Sequence, residues 1–163
     1  MEIINQAEPR FRYLQDTVCE LLLDLLREIN ALEMKFGKRD TLIKEKIPEL
    51  DSEQISSEFD ALWSDFHDEY ERIVSDRCTE KLLAKGYGNC IHQPVKYRWV
   101  DAEDCVVFFR MEKPKRAIVE AGFKVGTQDT KHRFTLIKQG EEWLVDAFNY
   151  WSTYDEVWHR DGI

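Results

Sequence analysis

Lys131-His132-Arg133-Phe134-Thr135-Leu136-Ile137-Lys138-Gln139-Gly140-Glu141-Glu142-Trp143-Leu144-Val145-Asp146-Ala147-Phe148-Asn149-Tyr150-Trp151 is two runs of β-branched and aromatic residues around a short polar gap holding a glycine. Val, Ile, Thr, Phe, Tyr and Trp fit a pleated, half-buried surface, and Gln139-Gly140-Glu141 has the length of a hairpin connection. The stretch therefore predicts two antiparallel strands, Lys131 to Gln139 and Glu142 to Trp151.

Moving upstream, the same period of two recurs over Arg116 to Val125, Asp104 to Glu112 and Val95 to Val100, with Lys113-Pro114-Lys115 as a second hairpin gap. Cys105-Val106-Val107-Phe108-Phe109 is apolar on both alternations, which predicts a strand with neither face open to water. Gly122 and Gly126 lie in or beside a strand, where glycine marks a bulge or bend, so the sheet is expected to curve. A concave side must be filled, and Tyr97, Trp99, Phe108 and Phe134 are the bulky candidates.

Ahead of the sheet the period changes to 3.6. Phe11, Leu14, Val18, Leu21, Leu22, Leu25, Ile29 and Leu32 make one apolar stripe, which predicts an amphipathic helix from about Glu8 to Phe36, with Pro9 in its first turn and Gly37 at its end. Residues 37–51 read as a connector interrupted by Pro48. Asp51-Ser52 followed by Glu53 and Gln54 is a helix-start signature, and Ile55, Phe59, Leu62, Phe66, Tyr70 and Ile73 form a second stripe up to about Asp76. Thr79 to Lys85 predicts a short third helix stopped by Gly86-Tyr87-Gly88-Asn89. The chain of 163 residues is expected to be a single α+β domain over 1–163, helical over about 8–85 and β over about 90–151, with the helices on one face of a curved antiparallel sheet.

The net charge is −9 and unevenly placed: residues 1–85 hold 20 acids against 12 bases, a net of −8, while residues 86–163 hold 12 against 11, a net of −1. Such a field disfavours nucleic-acid phosphate and anionic lipid as partners and steers a basic macromolecule towards the helices. The amino terminus has no basic start followed by an apolar run, and the apolar cluster around Leu21 to Leu26 is broken by Asp24, far below the roughly 20 residues a membrane span needs. A cytoplasmic location is the expectation. Cys19, Cys78, Cys90 and Cys105 show no Cys-x-x-Cys spacing, so free thiols are expected, and Cys90 with His92 is too few ligands for a metal site.

Candidates for catalysis are sparse. His67 sits among Asp65, Asp68 and Glu71 on the second helix, where a solvated face is the plainer reading. His132 and Asp146 fall on neighbouring strands and would make a general base and its orienter if both pointed into the hollow of the sheet. The neighbours Lys131 and Arg133 suggest instead an exposed strand start, with Asp146 paired to one of them. His159 carries no signal beyond surface. No phosphate loop, dinucleotide fingerprint, nucleophile elbow or zinc-helix motif occurs, so no cofactor is implied. For binding, Glu58, Asp65, Asp68 and Glu69 line the polar face of the second helix, Trp63 stands beside its stripe, and Tyr154 and Trp158 close an aromatic-rich tail in which other rings finish the core.

The order helix, helix, short helix, then strands ending in His132–Lys138 and Glu142–Asp146 with its tryptophan resembles the nuclear-transport-factor-2-like superfamily. Arg77-Cys78-Thr79-Glu80-Lys81-Leu82-Leu83 and Lys115-Arg116-Ala117-Ile118-Val119-Glu120 are similar to the bacterial immunity proteins of that fold, small acidic antitoxins encoded beside polymorphic toxins. The resemblance implies a cone-shaped sheet and a non-enzymatic role: capture of a cognate toxin domain, such as a nuclease, by a monomer or homodimer. Glu58, Trp63, Asp65, Asp68, Glu69, Tyr154 and Trp158 would be its binding residues. The superfamily also holds isomerases and dehydratases that act inside the cone, which leaves a small-molecule enzyme using His132 and Asp146, or a homodimeric scaffold, as alternatives.

Overall fold

Gln15–Lys46 is one α-helix of 32 residues (α1), about 48 Å long at 1.5 Å per residue. The computed structural model describes residues 1–163 throughout. Val18, Leu22, Leu25, Leu26, Ile29 and Phe36 are buried along α1, as the stripe requires. Both of its predicted ends move. Pro9–Leu14 forms a 3-10 turn rather than the first α-helical turns, and the helix runs through Gly37, so residues 37–46 are helix and not connector. Glycine inside a helix costs only about 1 kcal/mol relative to alanine. Here its bare Cα leaves room for the Gln93 side chain, which lies where a Cβ would stand. Pro48 marks the true stop, in a 3-10 turn over Ile47–Glu49.

Ser52–Val74 is the second helix (α2), opened by Asp51, whose carboxylate accepts from the Gln54 N–H at 2.8 Å while the Gln54 side chain accepts from the Asp51 N–H at 3.0 Å. It returns antiparallel along α1. Phe36 meets Phe66 edge-on at 5.3 Å, and Lys35–Glu69 at 2.7 Å and Arg39–Asp65 at 2.6 Å bridge the two helices. Glu80–Leu83 is a single turn (α3) capped by Thr79. No helix is long and apolar enough to cross a membrane.

The sheet has six strands in sequential order: β1 (Glu2–Asn5), β2 (Val106–Lys113), β3 (Arg116–Val125), β4 (Gln128–Gln139), β5 (Glu142–Ser152) and β6 (Val157–Asp161). It is mixed rather than wholly antiparallel, because β1 pairs parallel to β2 with Ile3 opposite Val107. It also starts and ends beyond 90–151. β1 and β6 are too short to show an alternation of their own, and both are edge strands. The strand expected over Val95 to Val100 is a chain of turns. Its Tyr97, Trp99 and Val100 are buried, but the backbone of Tyr97 is satisfied by the Asn30 side chain of α1, not by a ladder.

The helix-facing side of the sheet carries Val107, Phe109, Met111, Ala117, Val119, Ala121, Phe134, Leu136, Val145 and Phe148, all buried with the apolar stripe of α1 in one core. Val106 and Phe108 point to the other side and stay partly exposed, so β2 is not covered on both faces, and Phe108 does not help to fill the helix-facing side. The irregularities that bend strands sit between Met111 and Lys113 and between Thr135 and Leu136, not at Gly122, which pairs regularly with Val106 and Lys131. Gly126 serves the β3–β4 turn, at φ +63°.

Candidate functional site

His132 belongs to the inner face of β4 because it lies two residues before buried Phe134, and strand side chains alternate. It is not at an exposed strand start. Its Nδ1 accepts from the Trp99 indole at 2.9 Å, and its ring meets Phe123 and Phe148 edge-on at 4.8 and 5.0 Å. Burial, with a smaller push from the Lys96 ammonium, lowers its pKa to about 3. Asp146 is the extra residue at the β4–β5 bulge, where Thr135 faces Ala147 and Leu136 faces Val145. Its carboxylate accepts from Thr79 Oγ1 at 2.9 Å and Lys81 Nζ at 2.7 Å, not from Lys131 or Arg133. Burial would raise its pKa, but those two hydrogen bonds prevail and hold it below the ordinary range. The two residues are committed to different partners, and no His132–Asp146 couple exists.

Deep in the same region the rings are closely packed. Tyr97, Trp99, Phe134 and Phe148 are all buried, with Phe134 stacked on Phe148 at 4.9 Å. The Tyr97 hydroxyl is buried and has no hydrogen-bond partner. Nearer the surface a groove of about 440 Å³ remains open between residues 92–98 and the ends of β3 to β6.

Sequence reasoning missed the most deeply buried charge. Glu33, on α1, is 1% exposed. One carboxylate oxygen lies 2.6 Å from His92 Nδ1 and the other accepts from the Lys96 N–H at 2.8 Å, so the helix holds the loop at two points. Lys96 in turn donates from Nζ to the Gly162 carbonyl at 2.8 Å and lies 3.5 Å from Asp161. Burial pulls its pKa below that of an ordinary lysine, opposed by Asp161. Helix α1, the loop and the end of β6 are thereby joined by one chain of polar contacts. The available signal was position: Glu33 follows Leu32 and Ile29 by one and four residues, on the edge of the apolar stripe.

The proposed binding residues divide into groups. Asp65 and Glu69 face α1 and are neutralised by Arg39 and Lys35. Glu58 is partly buried, Asp68 is exposed, and neither forms an ion pair, a state shared by exposed Glu53 and Asp60. Trp63 is 41% exposed and touches Phe66 edge-on, so it widens the core stripe and still shows one face to solvent. Tyr154, at the turn between β5 and β6, is 98% exposed. Trp158 is a partly covered residue of β6, meeting Trp151 at 5.5 Å beneath the Arg133 guanidinium at 3.9 Å. His67 is exposed and stacks on Tyr87 at 5.1 Å, and His159 pairs with Asp155 at 2.8 Å.

On the sheet's outer side Glu120 is only 6% exposed, between Arg133 at 2.9 Å and Arg110 at 3.4 Å. Cys19, Cys78 and Cys105 are buried thiols, Cys90 is exposed, and no two are bonded. Burial raises the first two to about 12 and Cys105 to about 11, which makes them poor nucleophiles. The chain matches no protein-family model, no curated protein and no solved structure.

Proposed function

We propose that this protein is an immunity protein of the nuclear-transport-factor-2-like fold, which captures and neutralises a cognate toxin domain through the outward face of α2. The α+β architecture, with a long helix on a six-stranded mixed sheet, is compatible with that fold. The observation that carries the reading is the charge on α2. Its exposed acids Glu53, Asp60, Asp68 and Glu71 are in no ion pair, Arg72 is its single base, and partly exposed Trp63 stands on the same helix.

A macromolecule with a basic cleft, as a nuclease has, meets complementary potential there, and charge complementarity raises the rate of encounter and rejects wrong partners. Affinity needs more than charge. Nanomolar capture corresponds to roughly −12 kcal/mol, and Trp63 and Tyr154 supply exposed aromatic surface of the kind that carries binding energy. On this reading Asp65 and Glu69 position α2 against α1 and contribute little to the encounter. The commitment of His132 and Asp146 to separate partners favours binding over an acid–base reaction in the same fold.

The test is rescue. Co-expression with the variable carboxyl-terminal domain of a secreted protein encoded immediately upstream should restore growth to cells that the domain alone kills. Failure of the protein to rescue cells from that domain, with both expressed as folded proteins, would defeat the proposal.

A further inference from the structure

The groove beneath residues 92–98 combines features that a merely filled hollow does not need. Phe123 and Phe148 are buried beneath the groove with the His132 ring set edge-on between them, and Val125 and Tyr150, 40% and 38% exposed, form its open apolar wall. Because Nδ1 of His132 accepts the Trp99 N–H, the neutral ring carries its proton on Nε2, and that N–H has no partner in the protein. Burial keeps the ring neutral down to about pH 3, so it offers one uncharged donor across the physiological range.

The rim is cationic. Lys96 is engaged by the Gly162 carbonyl and by Asp161, whose carboxylate also lines the groove and offsets that charge. Arg98 is exposed at the rim and takes part in no ion pair, although the chain as a whole is strongly acidic. An unpaired guanidinium suits a carboxylate, with which it forms two parallel hydrogen bonds. A volume of about 440 Å³ lies within the usual range for small-molecule sites, roughly 300–1,000 Å³.

We infer that this groove binds a small planar aromatic carboxylate, its ring against the exposed side chains of Val125 and Tyr150, its carboxylate at Arg98 and its inner edge within reach of His132. The site is separate from the outward face of α2 and does not depend on the toxin reading. It is a binding site without an acid–base couple, so no turnover follows from it.

The probe is 2-naphthoate, titrated at pH 7 into the isotopically labelled full chain and followed by amide and histidine-ring NMR shifts, with the uncharged 2-naphthamide as the charge control. Saturable 1:1 binding is expected, with shifts centred on residues 92–98, His132 and Tyr150. Arg98→Ala, a change at an exposed side chain, should weaken binding at least tenfold, and the amide should bind at least tenfold more weakly than the acid. Absence of saturation at millimolar probe, shifts centred elsewhere, equal affinity for acid and amide, or full affinity in Arg98→Ala would each overturn the assignment.

Discussion

The Trp99 indole donates to His132 Nδ1 over 2.9 Å, tying the turn-rich segment before β2 to the inner face of β4. That bond requires an unprotonated imidazole. In the folded protein the His132 pKa is lowered to about 3, against about 6.5 in an unfolded chain, so the unfolded state takes up the proton first as pH falls. Stability is therefore full above pH 6.5 and is lost as pH drops towards 3. Between pH 7 and pH 4.5 this one group should remove about 2–3 kcal/mol. Urea unfolding at the two pH values checks it. His132→Gln keeps an acceptor for Trp99 but cannot titrate, and should lose correspondingly less; an equal loss in both proteins would refute the linkage.

Glu33 should be the most sensitive charged position on α1. Glu33→Ala strips partners from both His92 and the Lys96 N–H and is expected to cost about 2–4 kcal/mol. Glu33→Gln keeps an oxygen for the backbone donor and should cost clearly less. Chemical denaturation gives both values, and equal effects would show that the backbone contact carries no weight.

Tyr97→Phe removes a buried hydroxyl that has no partner while keeping the ring packed against Phe134 and Phe148. Most tyrosine-to-phenylalanine changes in a core forfeit a hydrogen bond, whereas this one forfeits none. Its expected effect lies between neutral and a gain of about 1 kcal/mol in thermal or urea unfolding. A loss of 1 kcal/mol or more would show that the hydroxyl is satisfied in solution.

Two glycines should respond in opposite directions. At Gly37 a methyl group meets only the end of the exposed Gln93 side chain, which can swing away, so Gly37→Ala should be neutral or stabilise by up to about 1 kcal/mol through helix propensity. At Gly162 the methyl group runs into the carbonyl oxygen of Gly86, which is backbone, and Gly162→Ala should destabilise by about 1–3 kcal/mol. Denaturation midpoints for the pair check the sign of each.

How much of this was legible in the sequence follows from how far each signal travels along the chain. The stripes of α1 and α2 and the alternation of β3, β4 and β5 are long enough to declare their periods, and the Asp51 cap and the hairpin gaps are local chemistry. Gly37 misled because a glycine is read as a stop, whereas its reason lies 56 residues away at Gln93. Tyr97 and Trp99 misled because aromatic alternation suggests a strand, while the partners of that backbone are side chains of α1. The same distance hid the site. Asp65 and Asp68 look alike in sequence, and only the return of α2 along α1 shows that Arg39 neutralises the first and leaves the second free. Asp146 found Lys81 and Thr79 instead of His132 for the same reason.

The association rate constant at low salt between this protein and the toxin domain it neutralises, for wild type and for Asp60→Lys/Asp68→Lys, tests the central claim most directly. Exposed charges at an interface act mainly on the rate of encounter, so the double reversal should slow association at least tenfold, with the difference shrinking as salt rises, while Asp65→Asn changes the rate by less than twofold. An association rate unchanged by the double reversal would contradict the account and remove the outward face of α2 from the interface.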